Sequence, residues 1–143
     1  MKTPLISCLL LFTLTALQVT ARAEDAPAAA APETPASATA VTRAQITSAI
    51  ADREPTDKLD KVVTSVDRVY FFTEISNFSG HTIRHQWLHK NQLMAEISFE
   101  VTSPRWRGWS SKKLIPSLQG PWHVLVLDEQ GNVLTSVPFT YGD

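Results

Sequence analysis

The sequence predicts an all-β domain: an antiparallel two-sheet β-sandwich, immunoglobulin- or fibronectin-like in size, with about seven strands. Three observations predict it. Short segments alternate apolar and polar residues, as strands with one buried face do. Turn residues separate them at regular intervals. No long helical repeat competes with them. Of 143 residues, 43% are apolar and 19% charged, enough apolar side chain to build one core.

The chain divides into three regions. Residues 1–23 read as a secretory signal: Lys2, the apolar run Leu5–Val19, then Ala21-Arg22-Ala23 as a cleavage site. Leu5–Val19 is short for a membrane span and carries Ser7, Thr13, Thr15 and Gln18, so an uncleaved anchor is the weaker alternative. Cys8 sits too early in the run to be a lipobox cysteine. Residues 24–40 form an Ala/Pro-rich linker without apolar periodicity, which reads as a semi-extended spacer. Residues 41–143 are left for the sandwich. The expected location is the periplasm or the exterior.

The strands follow in order. Thr42–Ile50 places Ala44, Ile46 and Ile50 on one face and Arg43, Gln45 and Thr47 on the other. Ala51–Asp60 is polar and holds Pro55, so it is expected to be a loop. Arg68–Ser76 is aromatic and β-branched, with Val69, Phe71, Thr73 and Ile75 on one face. Asn77–Gly80 is a turn and Thr82–His89 a further segment. Leu93–Val101 alternates Leu93, Ala95, Ile97, Phe99 and Val101 with polar or longer residues. Pro104 ends it, and Arg105–Leu114 follows as another strand. Trp122–Leu127 is apolar on both faces and therefore central. Asp128–Asn132 turns the chain back into Val133–Tyr141.

Charge excludes some functions. The domain carries 11 acids and 11 bases, so it has no bulk attraction for nucleic acid or an anionic membrane. The local distribution is uneven. No acid lies between Glu100 and Asp128, a stretch that holds Arg105, Arg107, Lys112, Lys113 and His123. Cys8 is the single cysteine, so the domain has no disulfide, thiolate or cysteine metal site. There is no Gly-x-Ser-x-Gly elbow, phosphate loop or His-Glu-x-x-His. No cofactor and no metal are expected.

Several blocks together carry a family resemblance. They are Arg43-Ala44 with Ile46-Thr47, Arg53-Glu54-Pro55 with Asp57, and Val69 through Glu74. His85 and Trp87 follow, then Pro104-Arg105-Trp106-Arg107 with Trp109 through Lys112. Gly120, Trp122, Asp128, Gly131 and Phe139-Thr140-Tyr141 complete the set. The sequence resembles the bacterial family known as domain of unknown function 2914, from about Arg43 to Tyr141. The resemblance implies an envelope-associated, β-rich domain and brings no catalytic residues with it.

Four constellations are candidates for chemistry. In Pro104–Lys112, the fork of Arg105 and Arg107 suits carboxylate or phosphate, and the faces of Trp106 and Trp109 suit a sugar or a cation. With Lys112 they offer a surface for an acidic glycan, a peptidoglycan fragment or a lipid headgroup. The competing reading is a cation–π ladder that only stabilises the sheet, as in the Trp-Ser-x-Trp-Ser element of cytokine-receptor fibronectin domains. A surface for a partner protein is the third. His81, His85 and His89 share one strand face, yet residues four apart on a strand lie roughly 13 Å apart, too far for one zinc. His85, with Ile83 and Trp87 on its face, reads as a structural histidine. Arg53, Glu54 and Asp57 form either a polar loop site or a clasp onto Arg105 and Arg107. Glu74, beside Tyr70 and Phe72, is either an acid with a raised pKa or the ion-pair partner of Arg84 or Arg105. Asn77-Phe78-Ser79 matches a glycosylation sequon.

The expected function is therefore an exported, non-enzymatic, envelope-associated binding domain. Its candidate ligand residues are Arg105, Trp106, Arg107, Trp109 and Lys112, with His85, Trp87, Arg53, Glu54 and Glu74 nearby. The alternative is a structural or protein-interaction module with an exposed sheet edge. A small periplasmic hydrolase built on Glu74, His85 and Arg53 is the third reading.

Overall fold

A computed structural model describes residues 40–143. The signal over 1–23, and the linker over 24–40 apart from Ala40, lie outside the described residues.

Seven long strands build the domain, the number the alternation predicts. They are β1 (Val41–Thr47), β5 (Arg68–Ser76), β6 (Thr82–His89), β7 (Gln92–Glu100), β8 (Arg105–Lys113), β9 (Gly120–Leu127) and β10 (Val133–Tyr141). Three two-residue strands, β2 (Ile50–Ala51), β3 (Glu54–Pro55) and β4 (Lys61–Val62), are added to them. A single turn of 3-10 helix, Pro116–Leu118, precedes β9.

One sheet has the order β1-β5-β8 and the other β4-β10-β9-β6-β7. In immunoglobulin lettering, A-B-E faces G-F-C-C′. Every long pair is antiparallel, and only the short β4 runs parallel to β10. β9 lies between β10 and β6, which explains why its residues are apolar on both faces. β2 and β3 form a separate ribbon.

The inner faces meet in one core. Ile46, Val69, Phe71 and Ile75 from the first sheet pack on Ile83, Trp87, Val124, Val126 and Phe139 from the second. Trp87, on the strand that corresponds to C, meets Phe71 and Phe139 edge-on, with both centroid distances 6.3 Å. Trp122 stacks on Phe139 at 5.9 Å. Such aromatic pairs add roughly 0.5–1.5 kcal/mol beyond their buried area.

Three elements differ from the sequence expectation. The first strand ends at Thr47, because Asp57 accepts hydrogen bonds from the Thr47 hydroxyl (2.6 Å) and from the Ser48 amide (2.7 Å) and hydroxyl (2.6 Å). Burial raises the Asp57 pKa, but these bonds outweigh it and hold the carboxyl below its ordinary value. Ala51–Asp60 is not simply a loop. It contains the second arm of the β2–β3 ribbon, whose turn residues Asp52 and Arg53 have φ of 50° and 63°, as a two-residue hairpin requires. Leu93 is exposed rather than inward. The register shifts where Trp87 pairs with Ala95 and Leu88 with Leu93, so a bulge turns Met94 toward the core instead.

Candidate functional site

Period-2 geometry divides the Pro104–Lys112 segment between two faces. On β8, Arg105, Arg107 and Trp109 point outward, away from the core. They pair across β5 with Ser76, Glu74 and Phe72. Trp106 and Lys112 point the other way. The Trp106 ring packs on Phe99 at 5.6 Å and against the core. A Cβ at Gly108 would come within 2.0 Å of that ring, so glycine is required to leave room for it. The Lys112 ammonium donates to the Met94 carbonyl at 3.4 Å. Trp106 and Lys112 are therefore not on one surface with Arg105, Arg107 and Trp109, and no alternating Arg-Trp ladder forms.

The outer face holds a network of ion pairs. Glu74 is almost buried, its side chain 8% exposed. Arg105 donates to it at 3.0 Å, and Arg43 and Arg107 lie 3.9 and 3.8 Å away. The Thr42 hydroxyl lies 3.2 Å from the same carboxylate and 3.2 Å from the Glu74 carbonyl. The β2–β3 ribbon brings Glu54 in from above, where its carboxylate accepts from Arg43 at 2.8 Å and from Arg107. Gln45 fixes the base of the ribbon by donating to the Asp57 carbonyl at 2.8 Å. Beneath these groups Phe72 is fully buried although it faces outward, with the Arg43 guanidinium 5.2 Å from its ring centroid.

This electrostatic setting decides the state of both acids. The Arg105 hydrogen bond, opposed by burial and helped by Thr42 and Arg43, holds the Glu74 carboxyl below its ordinary pKa. The Arg43 hydrogen bond does the same for Glu54. Glu74 is thus an ionised anchor, not an acid with a raised pKa, and its partner is Arg105 and not Arg84. Arg84 pairs instead with Glu96 at 3.7 Å on the opposite sheet. Glu54, not Asp57, reaches Arg107. Three guanidiniums share two carboxylates, and the guanidinium forks have donors to spare. Arg105 keeps 63% of its side chain exposed.

His85 and Trp87 lie on the inner face of β6 and are wholly buried. They do not adjoin the arginine surface. His85 Nδ1 lies 2.9 Å from Ser110 Oγ, and Nε2 lies 3.1 Å from Thr73 Oγ1. Trp87 Nε1 donates to Ser110 Oγ at 3.0 Å, and the Thr73 hydroxyl lies 3.3 Å from the Gly108 carbonyl. The Trp87 indole can only donate. One direction of bonding uses every donor: Trp87 to Ser110, Ser110 to His85 Nδ1, His85 Nε2–H to Thr73, Thr73 to Gly108. We assign the Nε2–H tautomer on that ground. Burial lowers the His85 pKa to about 3, so the ring is neutral.

The remaining candidates are dispersed. Arg53 sits at the exposed tip of the ribbon and has no ion-pair partner among the described residues. Glu74, His85 and Arg53 thus occupy an outer face, the core and a ribbon tip, and do not converge on one substrate. His81 is exposed and 3.7 Å from Glu129, whereas His89 is nearly buried, bonded to the Gln119 carbonyl at 3.0 Å. Among the described residues, no three His, Cys, Asp or Glu side chains are placed to hold a metal ion. An open groove lined by Asp60, Pro121, His123, Pro138 and Thr140 crosses the outer face of β9 and β10.

Arg43 and Phe72 are the site members that the sequence reading missed. Both stand in the outward half of a strand alternation, so the signal was present. What it lacked was the β1–β5–β8 order that lines Arg43, Glu74 and Arg107 up in one row.

The family model described as Protein of unknown function (DUF2914) matches residues 80–141, from just before β6 to the end of β10. This is the family the sequence resembles. The blocks from His85 onward fall inside the match, and those over Arg43–Glu74 precede it. No curated protein matches the chain.

Proposed function

We propose that the protein is an exported, non-enzymatic module of the cell envelope that binds an acidic glycan on the outer face of β1-β5-β8. The observation that carries this reading is the excess of guanidinium over carboxylate around Glu74, next to the partly exposed Trp109 on the same face. Arginine forks hold sugar carboxylates, and an indole face covers the apolar side of a sugar ring. Arg105 is the principal ligand arginine, because it is the most exposed of the three. Export rests on the signal-like residues 1–23, and the spacer that follows would hold the domain away from its anchor or exit point.

A second reading has its own support. Arg107 ties the ribbon to the sheet through Glu54 and Glu74, which is a structural task. The two roles divide between the arginines. Calorimetric titration of the chain with the galacturonate disaccharide tests the proposal. Arg105→Ala and Trp109→Ala should each abolish measurable heat of binding. Trp109→Ala should leave the melting temperature near wild type, whereas Arg105→Ala lowers it because Glu74 loses its direct partner. Undiminished binding by both variants would remove this face as the ligand site and leave the structural reading.

A further inference from the structure

At the opposite end of the same face, Arg68 and Lys113 stand directly across from each other on β5 and β8. Both are exposed. Like charges placed directly opposite on a sheet repel and destabilise it. Among the described residues no carboxylate offsets the repulsion. Neither residue makes an ion pair among the described residues. Among the described residues, the single side-chain partner of Arg68 is the Ser111 hydroxyl, 3.2 Å away. Asp67, the neighbouring acid in the chain, pairs with neither of them, and its carbonyl is taken by the Leu114 amide at 2.7 Å. The contrast with the Glu74 end is plain, since there each arginine has a carboxylate.

We infer that Arg68 and Lys113 form a second anion subsite, so that the ligand is an extended polyanionic glycan rather than a single acidic sugar. This rests on the reading of the face as a glycan site. The outward row of β8 runs Arg105, Arg107, Trp109, Ser111, Lys113. At about 3.4 Å per residue, Arg105 and Lys113 are roughly 27 Å apart, with Trp109 midway between them. The row is cationic at both ends and aromatic in the middle. The half-buried Tyr70 of β5 flanks the middle, and no acid stands in the outward row of β8. A linear chain with a carboxylate on every sugar complements this spacing, whereas one sugar reaches only one end. Two weak subsites joined by one ligand bind with avidity, because the second contact is intramolecular.

The test compares the galacturonate disaccharide with a long oligogalacturonate on the full chain, using Arg68→Ala and Lys113→Glu. Wild type should bind the long chain more tightly than the disaccharide. Each variant should weaken the long chain about tenfold, the scale of one lost charged contact. Disaccharide affinity should not change. Lys113→Glu should also raise the melting temperature, since it replaces a repulsive cross-strand pair by an attractive one, which separates the lost binding from misfolding. Long-chain affinity equal to wild type in both variants would overturn the second subsite while leaving the glycan reading intact. Failure of wild type to bind either probe would overturn both.

Discussion

Ser110 Oγ lies 2.9 Å from Nδ1 of His85, the separation of a nucleophile from its base, yet both groups are sealed between the sheets. Their surroundings are those of a structural hydrogen-bond chain. Phe71 and Phe99 enclose the imidazole with ring centroids at 4.9 and 4.7 Å. Buried polar chains are costly when broken, because each orphaned group loses its water without gaining a partner.

Ser110→Ala should therefore destabilise the fold without touching the outer face. It strands the Trp87 indole N–H and the His85 Nδ1 lone pair. A loss of about 1–3 kcal/mol is expected for such unsatisfied groups. Urea denaturation measures it, and glycan affinity below the unfolding range should equal that of wild type.

The buried His85 makes stability pH-dependent. Its folded pKa of about 3 lies below the ordinary 6.5, so below pH 6.5 the unfolded chain takes up a proton that the folded chain refuses. Stability is then full above 6.5 and falls as the pH drops, by up to about 1.4 kcal/mol per pH unit. Glu74 adds a second window. Its folded pKa is depressed from 4.5, so its contribution is present above 4.5 and is lost as the pH falls through the lowered value. Between pH 6.5 and 4.5 the slope of melting temperature against pH belongs to His85 rather than Glu74. His85→Gln should lower stability at neutral pH and flatten that slope.

Gly108 carries the inward turn of Trp106. Gly108→Ala places a methyl within 2.0 Å of the indole ring and forces it from its seat against Phe99. Overpacking of this kind costs about 1–3 kcal/mol. The variant should melt lower, with a changed near-ultraviolet tryptophan signal.

Both residues of the ribbon turn, Asp52 and Arg53, are left-handed, a backbone that aspartate tolerates better than arginine. Arg53 holds φ at 63°, a left-handed value that costs a residue with a Cβ roughly 1–2 kcal/mol and costs glycine little. Arg53→Gly gives the Asp-Gly pair that such turns favour. It should raise the melting temperature and leave disaccharide binding unchanged. A drop would mean that the Arg53 side chain holds the ribbon.

The strands that bury one regular face were legible in the sequence. Arg68–Ser76 is β5 residue for residue, with Val69, Phe71, Thr73 and Ile75 inward, because alternation alone sets which side faces the core. Tertiary effects hid the rest. Thr47 belongs to the outward row but is buried, since the ribbon covers it and Asp57 bonds it. Ile50–Pro55 is too short for any periodicity to appear, so the ribbon that brings Glu54 to Arg43 and Arg107 read as loop. The Arg-Trp segment was legible in type but not in arrangement. Its period of two separates Trp106 from Arg107, and the partner that neutralises Arg107 arrives from a ribbon far away in the chain.

If the outer face of β1-β5-β8 holds an acidic glycan, the amide and indole N–H chemical shifts of that face move when the glycan binds. Titrating the isotope-labelled chain with oligogalacturonate should shift the Trp109 indole and the amides of Arg43, Phe72, Glu74 and Arg105 through Arg107, leaving the Trp87 indole in place. Shifts confined to the β6–β7 face, or none at all, would mean that the outer face of β1-β5-β8 is not the ligand site.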